Sequence, residues 1–158
     1  MRKADRQLST LDAFEIFDKA PYVTLSMINS DGLTPYGVPL SIVRKDETTL
    51  YFHCADEGEK INCIKANPSV WLTAVSKCTP RFEEEKRNFT EHYRSGMASG
   101  KAEFVTSKEE KIEALRLICE RFLPKFMKFF DEAINRSLER TTVVRITLTE
   151  PPVGKCKE

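Results

Sequence analysis

Apolar and polar residues alternate in several short segments of this chain, and polar turns separate the segments. In YVTLSMIN, residues 22–29, Val23, Leu25 and Met27 fall on one side of an extended backbone, and the turn NSDG follows. A period of two residues is typical of a β-strand with one buried face. The segment therefore predicts the first strand of an antiparallel hairpin.

The same alternation recurs in five later segments. They are YGVPLSIVRK (36–45), TLYFH (49–53), SVWLTAVS (69–76), FTEHYRSGMASGKAEFV (89–105) and TTVVRITLTE (141–150). Pro39 has no N–H for a strand ladder, so the return strand is expected at a sheet edge, at a bulge or beside a group that is not a strand. Gly96 and Gly100 suggest a bend or a close backbone contact in the long strand.

Six such strands would leave long exposed edges in a flat sheet, and closure into a barrel hides them. The charged segment KCTPRFEEEKRN (77–88) is expected to be a connector, and residues 150–158 a polar tail that follows Pro151 and Pro152. At 158 residues the chain has the length of one domain with a sizeable core, which we predict over residues 1–158.

Three segments show helical spacing of their apolar residues. They are 9–20, beginning at an N-cap Ser9 or Thr10; 56–67, beginning at the capping-box pair Asp56 and Glu59; and 107–139, beginning at a second such pair, Ser107 and Glu110. Pro124 interrupts the last segment, so a kinked helix or two helices are expected there. The predicted class is mainly β with peripheral helices, built on an antiparallel six-stranded barrel.

Apolar residues crowd the segment KFMKFFDEAINRSLER, residues 125–140. Phe126, Met127, Phe129 and Phe130 are numerous enough to suggest packing beyond one face of a helix. They either belong to the core or form a contact with a second subunit, and the sequence favours neither alternative.

The composition argues against several functional classes. Positive and negative residues number 25 and 24, and their signs mix within clusters such as EEEKR, so the basic stripe of a nucleic-acid-binding domain is missing. No window holds the roughly 18 apolar residues of a membrane span. The first residues, MRKADRQLST, lack the apolar centre of a signal peptide. We expect a cytoplasmic protein.

The five cysteines, at positions 54, 63, 78, 119 and 156, are odd in number and follow no metal-binding spacing. With only two histidines, a zinc site would need assembly from distant residues, and no metal is expected. Buried, unpaired thiols are the simpler interpretation, and they suit a reducing compartment.

The junction YFHCADEGEKINCIKANPSV, residues 51–70, has the features of an anion site. A strand ends at His53, Gly58 permits close approach of the backbone, and Lys60 falls in the first turn of the predicted helix. The unpaired N–H groups and the dipole at a helix start attract anions such as phosphate. The junction is therefore a candidate phosphate site.

The same junction also allows a purely structural interpretation. The carboxylates of Asp56, Glu57 and Glu59 suit the start of a helix and would repel a phosphate that they faced. His53 can be a hydrogen-bonded structural histidine and Lys60 a solvated helix lysine. On the residues alone both interpretations stay open.

Three blocks of sequence carry a resemblance to a known family. They are Y-F-H-x-A-x-x-G-x-K-I at 51–61, the run from Tyr93-Arg94-Ser95 to Gly100-Lys101-Ala102, and Gly154-Lys155. With the surrounding sequence, from about residue 14 to residue 155, they resemble the pyridoxamine 5′-phosphate oxidase-like flavin-binding superfamily, most closely its nitroimidazole-resistance (Nim-like) branch. The resemblance implies a split β-barrel homodimer that binds FMN at the subunit interface.

The resemblance also implies which residues form the FMN site. The backbone of Val38, Pro39, Leu40 and Ser41 would border the isoalloxazine ring; His53, Cys54, Ala55 and Lys60 would line the ribityl-phosphate end; and Tyr93 and Ser95, from the same or the other subunit, would complete the pocket. Trp71 and Tyr93 are expected to pack, although either can stack on a flavin. Cys54 is expected to be a wall residue, because the nearby carboxylates oppose a lowered thiol pKa.

The implied function is an FMN-dependent oxidoreductase that reduces small electron-poor substrates, such as nitroaromatics, with a nicotinamide donor. The sequence requires no particular acid or base, and His53, Tyr93 and water are the candidate proton donors. A flavin-binding or sensing protein without efficient turnover, and a haem-handling protein on the same barrel, are the alternatives.

Overall fold

The computed structural model describes residues 3–158, which form strands and helices in close alternation. The strands are β1 (Val23–Ile28), β2 (Pro35–Leu40), β3 (Val43–Arg44), β4 (Thr49–Cys54), β5 (Ser69–Glu83), β6 (Asn88–Phe104), β7 (Thr142–Leu148) and β8 (Val153–Lys157). The α-helices are α1 (Thr10–Lys19), α2 (Glu59–Ala66), α3 (Lys108–Phe122) and α4 (Phe130–Ser137). Short 3₁₀ turns occupy Ala4–Arg6, Glu84–Lys86, Pro124–Phe129 and Leu138–Arg140. No helix in the described range is both long and apolar enough to cross a membrane.

The strands form one antiparallel sheet in the order β2-β1-β5-β6-β7-β4-β3, with β8 paired to β6. The two ends of that order, β2 and β3, are consecutive in the chain and are separated only by Ser41 and Ile42. A connection from Leu40 to Val43 spans at most about 11 Å. The sheet must therefore curve until its two edges meet at this point. The predicted mainly β, split-barrel class is confirmed, with eight strands instead of six.

The predicted hairpin at the start of the sheet is present, and Leu25 pairs with Val38 across it. The return strand, expected as one piece over residues 36–45, breaks into β2 and β3. β2 pairs only with β1, whereas β3 pairs only with β4. Pro39 thus lies in an edge strand, as predicted, where the missing N–H costs no ladder hydrogen bond.

The charged segment 77–88 is not a connector, because most of it belongs to a long hairpin of β5 and β6. Pairing continues past a register shift between Val75 and Lys77 to the last pair, Glu83 with Asn88. This ribbon projects beyond the barrel, so both of its faces are largely exposed. Without a buried face the chain needs no apolar alternation, which explains why the sequence pattern missed it.

The polar tail expected at residues 150–158 is also different in the structure. Residues Val153–Lys157 form β8 and pair with Tyr93–Met97 of β6. Pro152 is buried, and the strand starts directly after it. Proline is tolerated just before a strand because it gives up no ladder hydrogen bond there.

The helix starts follow the capping rules in two cases of three. Ser9 Oγ accepts a hydrogen bond from Asp12 N at 3.1 Å, and Ser107 Oγ accepts one from Glu110 N at 3.2 Å. The expected capping box at Asp56 and Glu59 is wrong. α2 begins three residues later, at Glu59, with Gly58 as N-cap.

The core has two parts. The larger fills the barrel with residues such as Leu25, Phe52, Leu72 and Ile146, and the smaller packs α3 and α4 against β4 and β7. Of the five thiols only Cys63 is buried, so the expectation of buried cysteines is right for that residue alone.

The long strand β6 approaches β7 closely at Gly100. A Cβ atom at this position would lie 2.7 Å from Ile146 Cγ2 and 2.9 Å from the Thr147 carbonyl oxygen. Both distances are shorter than van der Waals contact, so glycine is required here. The predicted close backbone contact is confirmed.

The apolar residues of segment 125–140 have divided roles. Phe130 is buried in the smaller core, and Met127 is half-buried against it. Phe126 and Phe129 are 59% and 51% exposed. The core interpretation is therefore correct for Phe130, while the exposed rings leave a surface that a second subunit can contact.

Candidate functional site

The candidate site lies where the barrel splits. β3 and β4 pair at two positions, of which Val43 with Tyr51 is nearer the split. If this pairing continued for two more residues, Ser41 would lie opposite His53. Instead, the residues before Ser41 form β2, which pairs with β1. Two free strand edges therefore diverge from this point. We call the opening between residues 38–41 and 53–55 the β2–β4 cleft.

The floor of the β2–β4 cleft is the barrel core. Val38, Leu40 and Cys54 are half-buried and pack against the larger core cluster, whereas Pro39 and Ser41 are exposed. An edge strand presents backbone N–H and C=O groups without strand partners. The cleft thus combines an apolar floor with polar backbone walls, which suits a flat heteroaromatic ligand.

Arg121 of α3 binds the backbone at the apex of the cleft, which is the narrow end where β2 is joined to β3. Its Nη1 donates to the Ile42 carbonyl at 2.7 Å, and its Nη2 donates to the carbonyls of Phe17 at 2.7 Å and Ala20 at 3.0 Å. The last two oxygens end α1, where a cation also offsets the helix dipole. Burial lowers the pKa of the Arg121 side chain, and nearby Asp18 opposes the effect. Sequence reasoning missed this residue because its acceptors lie far away in the chain.

Gly58 sets the direction of α2. It has φ 120° and ψ 170°, which side-chain-bearing residues rarely adopt. Its carbonyl accepts from Ile61 N at 3.0 Å and Asn62 N at 3.2 Å, so the helical bonds begin here. The N–H groups of Glu59 and Lys60 belong to the first turn, where an α-helix offers donors that have no intrahelical acceptor.

Lys60 places a positive charge at this end of the cleft. Its side chain is half-buried, and its ammonium acts electrostatically on both His53 and Cys54. Burial raises the pKa of the Cys54 thiol more than Lys60 lowers it. Cys54 is therefore protonated at neutral pH, in line with a wall residue rather than a redox-active thiol.

The surroundings of His53 favour its neutral form. Nearby protein atoms desolvate the imidazole and lower its pKa, and the Lys60 ammonium lowers the pKa further, although the residue is exposed. A neutral imidazole still has one N–H donor. An anion bound beside Lys60 would favour the protonated form and give the ring a second donor.

One acidic side chain of the junction has a partner along its own helix. Glu59 Oε1 accepts a hydrogen bond from Cys63 Sγ at 3.7 Å, one turn along α2. Asp56 lines a cavity together with Lys65 and Lys111. Of the three carboxylates that argued against a phosphate, Glu59 thus has another partner.

Tyr93 and Ser95 lie on β6, which borders neither side of the β2–β4 cleft. Both lie in the stretch of β6 that pairs with β8. Across β5 and β1, Gly96 beside Ser95 is level with Leu40 of β2. Ser95 thus lies three strands from that wall of the cleft, or about 14 Å at about 4.8 Å per strand.

Trp71 lies outside the β2–β4 cleft. It is 46% exposed on the outer face of β5 and lines a cavity of about 450 Å³ with Ile28 and Lys101. The side chain is thus neither buried in the core nor placed to stack on a ligand in the cleft of its own chain.

Comparison with known proteins gives one family. The family model described as Pyridoxamine 5′-phosphate oxidase matches residues 9–153. The comparison with curated proteins gives no match.

Three solved structures illustrate the structural likeness. A candidate 5-nitroimidazole antibiotic resistance protein from Bacteroides thetaiotaomicron VPI-5482 has a TM-score of 0.77 at 22% identity, over 94% of this chain and 85% of its own. The flavocytochrome Anf3 from Azotobacter vinelandii has a TM-score of 0.79 at 19% identity, over 100% of this chain and 72% of its own. The FAD and haem binding protein from Mycobacterium smegmatis has a TM-score of 0.77 at 19% identity, over 97% of this chain and 74% of its own. At these identities the likeness establishes the fold.

Proposed function

This chain belongs to the pyridoxamine 5′-phosphate oxidase family, and from that premise we propose that it binds a flavin, FMN, in the β2–β4 cleft. One observation carries the proposal: the Lys60 ammonium, the first N–H groups of α2 and His53 share one end of the cleft, and Glu59 Oε1 accepts a hydrogen bond from Cys63 Sγ. Structural relatives described as a flavocytochrome and as an FAD and haem binding protein support a flavin as the ligand class.

In this arrangement the flavin phosphate lies at the start of α2. The N–H groups of Glu59 and Lys60 donate to it, and Lys60 supplies a point charge. Cys54 and Ala55 would line the ribityl chain. Val38–Ser41 would border the isoalloxazine ring with their unpaired backbone groups.

The position of Tyr93 and Ser95 on β6, which borders neither side of the cleft, favours a homodimer with the flavin at the subunit interface. In a dimer, β6 of the partner can supply both residues to the cleft. The exposed tip of the β5–β6 hairpin supports this arrangement, because Phe82 and Phe89 pack there with their ring centroids 4.7 Å apart. Exposed aromatic pairs of this kind often mark an interface.

The reaction that fits best is reduction of small electron-poor substrates, including nitroaromatics, with a nicotinamide donor. The flavin supplies the electron-transfer chemistry when bound. The chain's own residues hold the ring, exclude water from its inner face and leave the outer face to the substrate. His53, Tyr93 of the second copy and water are the candidate proton donors.

The first test is the absorption spectrum of the purified protein and its titration with FMN. Lys60→Ala should weaken FMN binding about 10- to 100-fold, since a charge-assisted hydrogen bond contributes about 1.5–3 kcal/mol. Lys125→Ala, an exposed lysine before α4, is the matched control and should keep the wild-type affinity. Unchanged affinity in Lys60→Ala would remove this lysine from the site.

The spectrum also separates the alternatives. A Soret band in place of the flavin bands would favour the haem-handling protein. This alternative is worth testing because two structural relatives are described as a flavocytochrome and as an FAD and haem binding protein. Bound flavin that NADH and NADPH fail to reduce would favour a binding or sensing role. A colourless protein that takes up neither group would overturn the proposal.

A further inference from the structure

A second cavity, of about 560 Å³, lies between the start of α3 and the end of α4. Four basic side chains line it: Lys108, Lys111, Arg136 and Arg140. Glu139 is the one carboxylate in its lining. We call this space the basic cavity. Its volume is in the range of sites that hold small organic ligands.

The positive charge of the basic cavity is poorly neutralised. Arg136 pairs with Glu132 at 3.6 Å, and both side chains are largely exposed. Among residues 3–158, Lys108, Lys111 and Arg140 have no carboxylate oxygen within 4.0 Å. Lys111 is half-buried, and a partly desolvated cation calls for an anion. The start of α3 adds the positive end of its dipole.

The basic cavity has a smaller neighbour on the side of α2. This cavity, of about 240 Å³, shares Lys111 with it and is also lined by Asp56, Ile61, Lys65 and Thr142. Ile61 follows Lys60 in α2, and Thr142 pairs with Cys54. The smaller cavity, with two lysines and one carboxylate, therefore lies between α2 and the basic cavity.

From these features we infer that the basic cavity binds the adenosine diphosphate part of a dinucleotide, an inference that rests on the proposed flavin function. The cations bind the phosphates. Ile112 and Leu138 provide apolar surface for the base, and the Asn135 amide matches the donor and acceptor edge of adenine. Two ligands carry this group: FAD, in which it extends from the flavin phosphate, and the nicotinamide donor.

The direct test is titration of the purified full chain with ADP by calorimetry, with and without FMN. The wild type should bind ADP in at least one of the two forms. Lys111→Ala/Arg140→Ala should weaken that binding about tenfold or more through the loss of two charged contacts. Lys125→Ala/Lys128→Ala makes the same change in charge in the turn before α4, at the end of the helix away from the basic cavity, and should bind as the wild type does. Absence of ADP binding, or equal losses in both variants, overturns the inference.

The source of the group follows from two further titrations. If it is FAD, the wild type binds FAD more tightly than FMN, and Lys111→Ala/Arg140→Ala abolishes the difference while FMN affinity stays constant. If it is the nicotinamide donor, the variant raises KM for that donor in the FMN-loaded protein. FMN binding without ADP binding refutes the inference alone, whereas ADP binding without any flavin binding refutes the proposed function alone.

Discussion

At the scale of single residues, the candidate site depends on which groups carry charge at neutral pH. Burial and Lys60 lower the pKa of His53 and keep it neutral, and burial keeps Cys54 protonated. Of these three side chains Lys60 is the cation, and His53 and Cys54 are neutral. An anionic ligand would change this balance, because it stabilises the protonated imidazole.

The lowered pKa of His53 has a consequence for stability. Since the folded state disfavours the imidazolium, the unfolded chain binds more protons, and stability falls as pH drops below the ordinary histidine value of about 6.5. The apo protein should thus lose more stability between pH 7.5 and 5.5 than His53→Gln does, as measured by urea unfolding. His92→Gln, which removes the chain's other imidazole, is the matched control.

Bound FMN should reverse this effect. Its phosphate raises the pKa of His53, so the difference between wild type and His53→Gln should shrink when the unfolding series is repeated with saturating FMN. An identical pH dependence for the two proteins without ligand would show that the imidazole is not desolvated.

At the scale of elements, α3 controls the geometry of the cleft through Arg121. The side chain joins the end of α1 to the Ile42 carbonyl, between β2 and β3. Three carbonyl oxygens share one guanidinium, whose fork geometry a lysine ammonium lacks. The helix therefore fixes both the apex of the split and the end of a neighbouring helix.

Arg121→Met should destabilise the protein by about 2–3 kcal/mol, because it leaves partly buried carbonyl groups without donors. Arg121→Lys should have a stability between those of Arg121→Met and the wild type. The measurement is urea unfolding of the apo protein.

Arg116→Met is the matched control, since Arg116 lies on the same helix and makes an exposed ion pair with Asp131 at 3.2 Å. Its loss should cost less than about 1 kcal/mol. Equal losses for the two arginines would contradict the role of Arg121.

Local sequence patterns predict the elements that bury one face or carry a side-chain cap. α1 and α3 begin at their serine caps, and β1 has its alternation. The patterns fail where geometry depends on distant or unusual backbone. Gly58 rather than Asp56 caps α2, and the exposed ribbon near Cys78 has no buried face to impose a pattern.

The candidate site is partly predictable for the same reason. His53, Cys54 and Lys60 are close in sequence, so the local pattern of a strand followed by a helix is enough to group them at one junction. The position of Ser41 on the opposite side of a cleft depends on the curvature of the whole sheet. The contribution of Arg121 depends on contacts to chain segments that no local pattern connects.

At the scale of the whole molecule, the long β5–β6 hairpin is the feature that a single barrel does not explain. Its tip exposes Phe82 and Phe89, the latter by 85%. The same hairpin carries Tyr93 and Ser95 on β6, a strand that does not border the cleft of its own chain. A second copy that receives this arm would account for both observations.

Phe82→Ser/Phe89→Ser should shift the protein from dimer to monomer and weaken FMN retention while leaving the barrel folded. Light scattering coupled to size-exclusion chromatography measures the shift. Leu33→Ser is the control, because Leu33 is 84% exposed in the β1–β2 turn and lies outside the arm. A variant that stays dimeric with full FMN retention would exclude the arm from the interface.

The two-residue link between β2 and β3 gives the opening the shape of a wedge whose narrow end is covalently closed. The thickness of a ligand that fits in this opening increases with the distance of the ligand from residues 41 and 42. A planar ligand can therefore bind deep in the opening, whereas a bulky or puckered ligand can bind only near its wide end. Lengthening the link by one or two residues would widen the narrow end. The chain would then bind thicker ligands, and its affinity for planar ligands would fall.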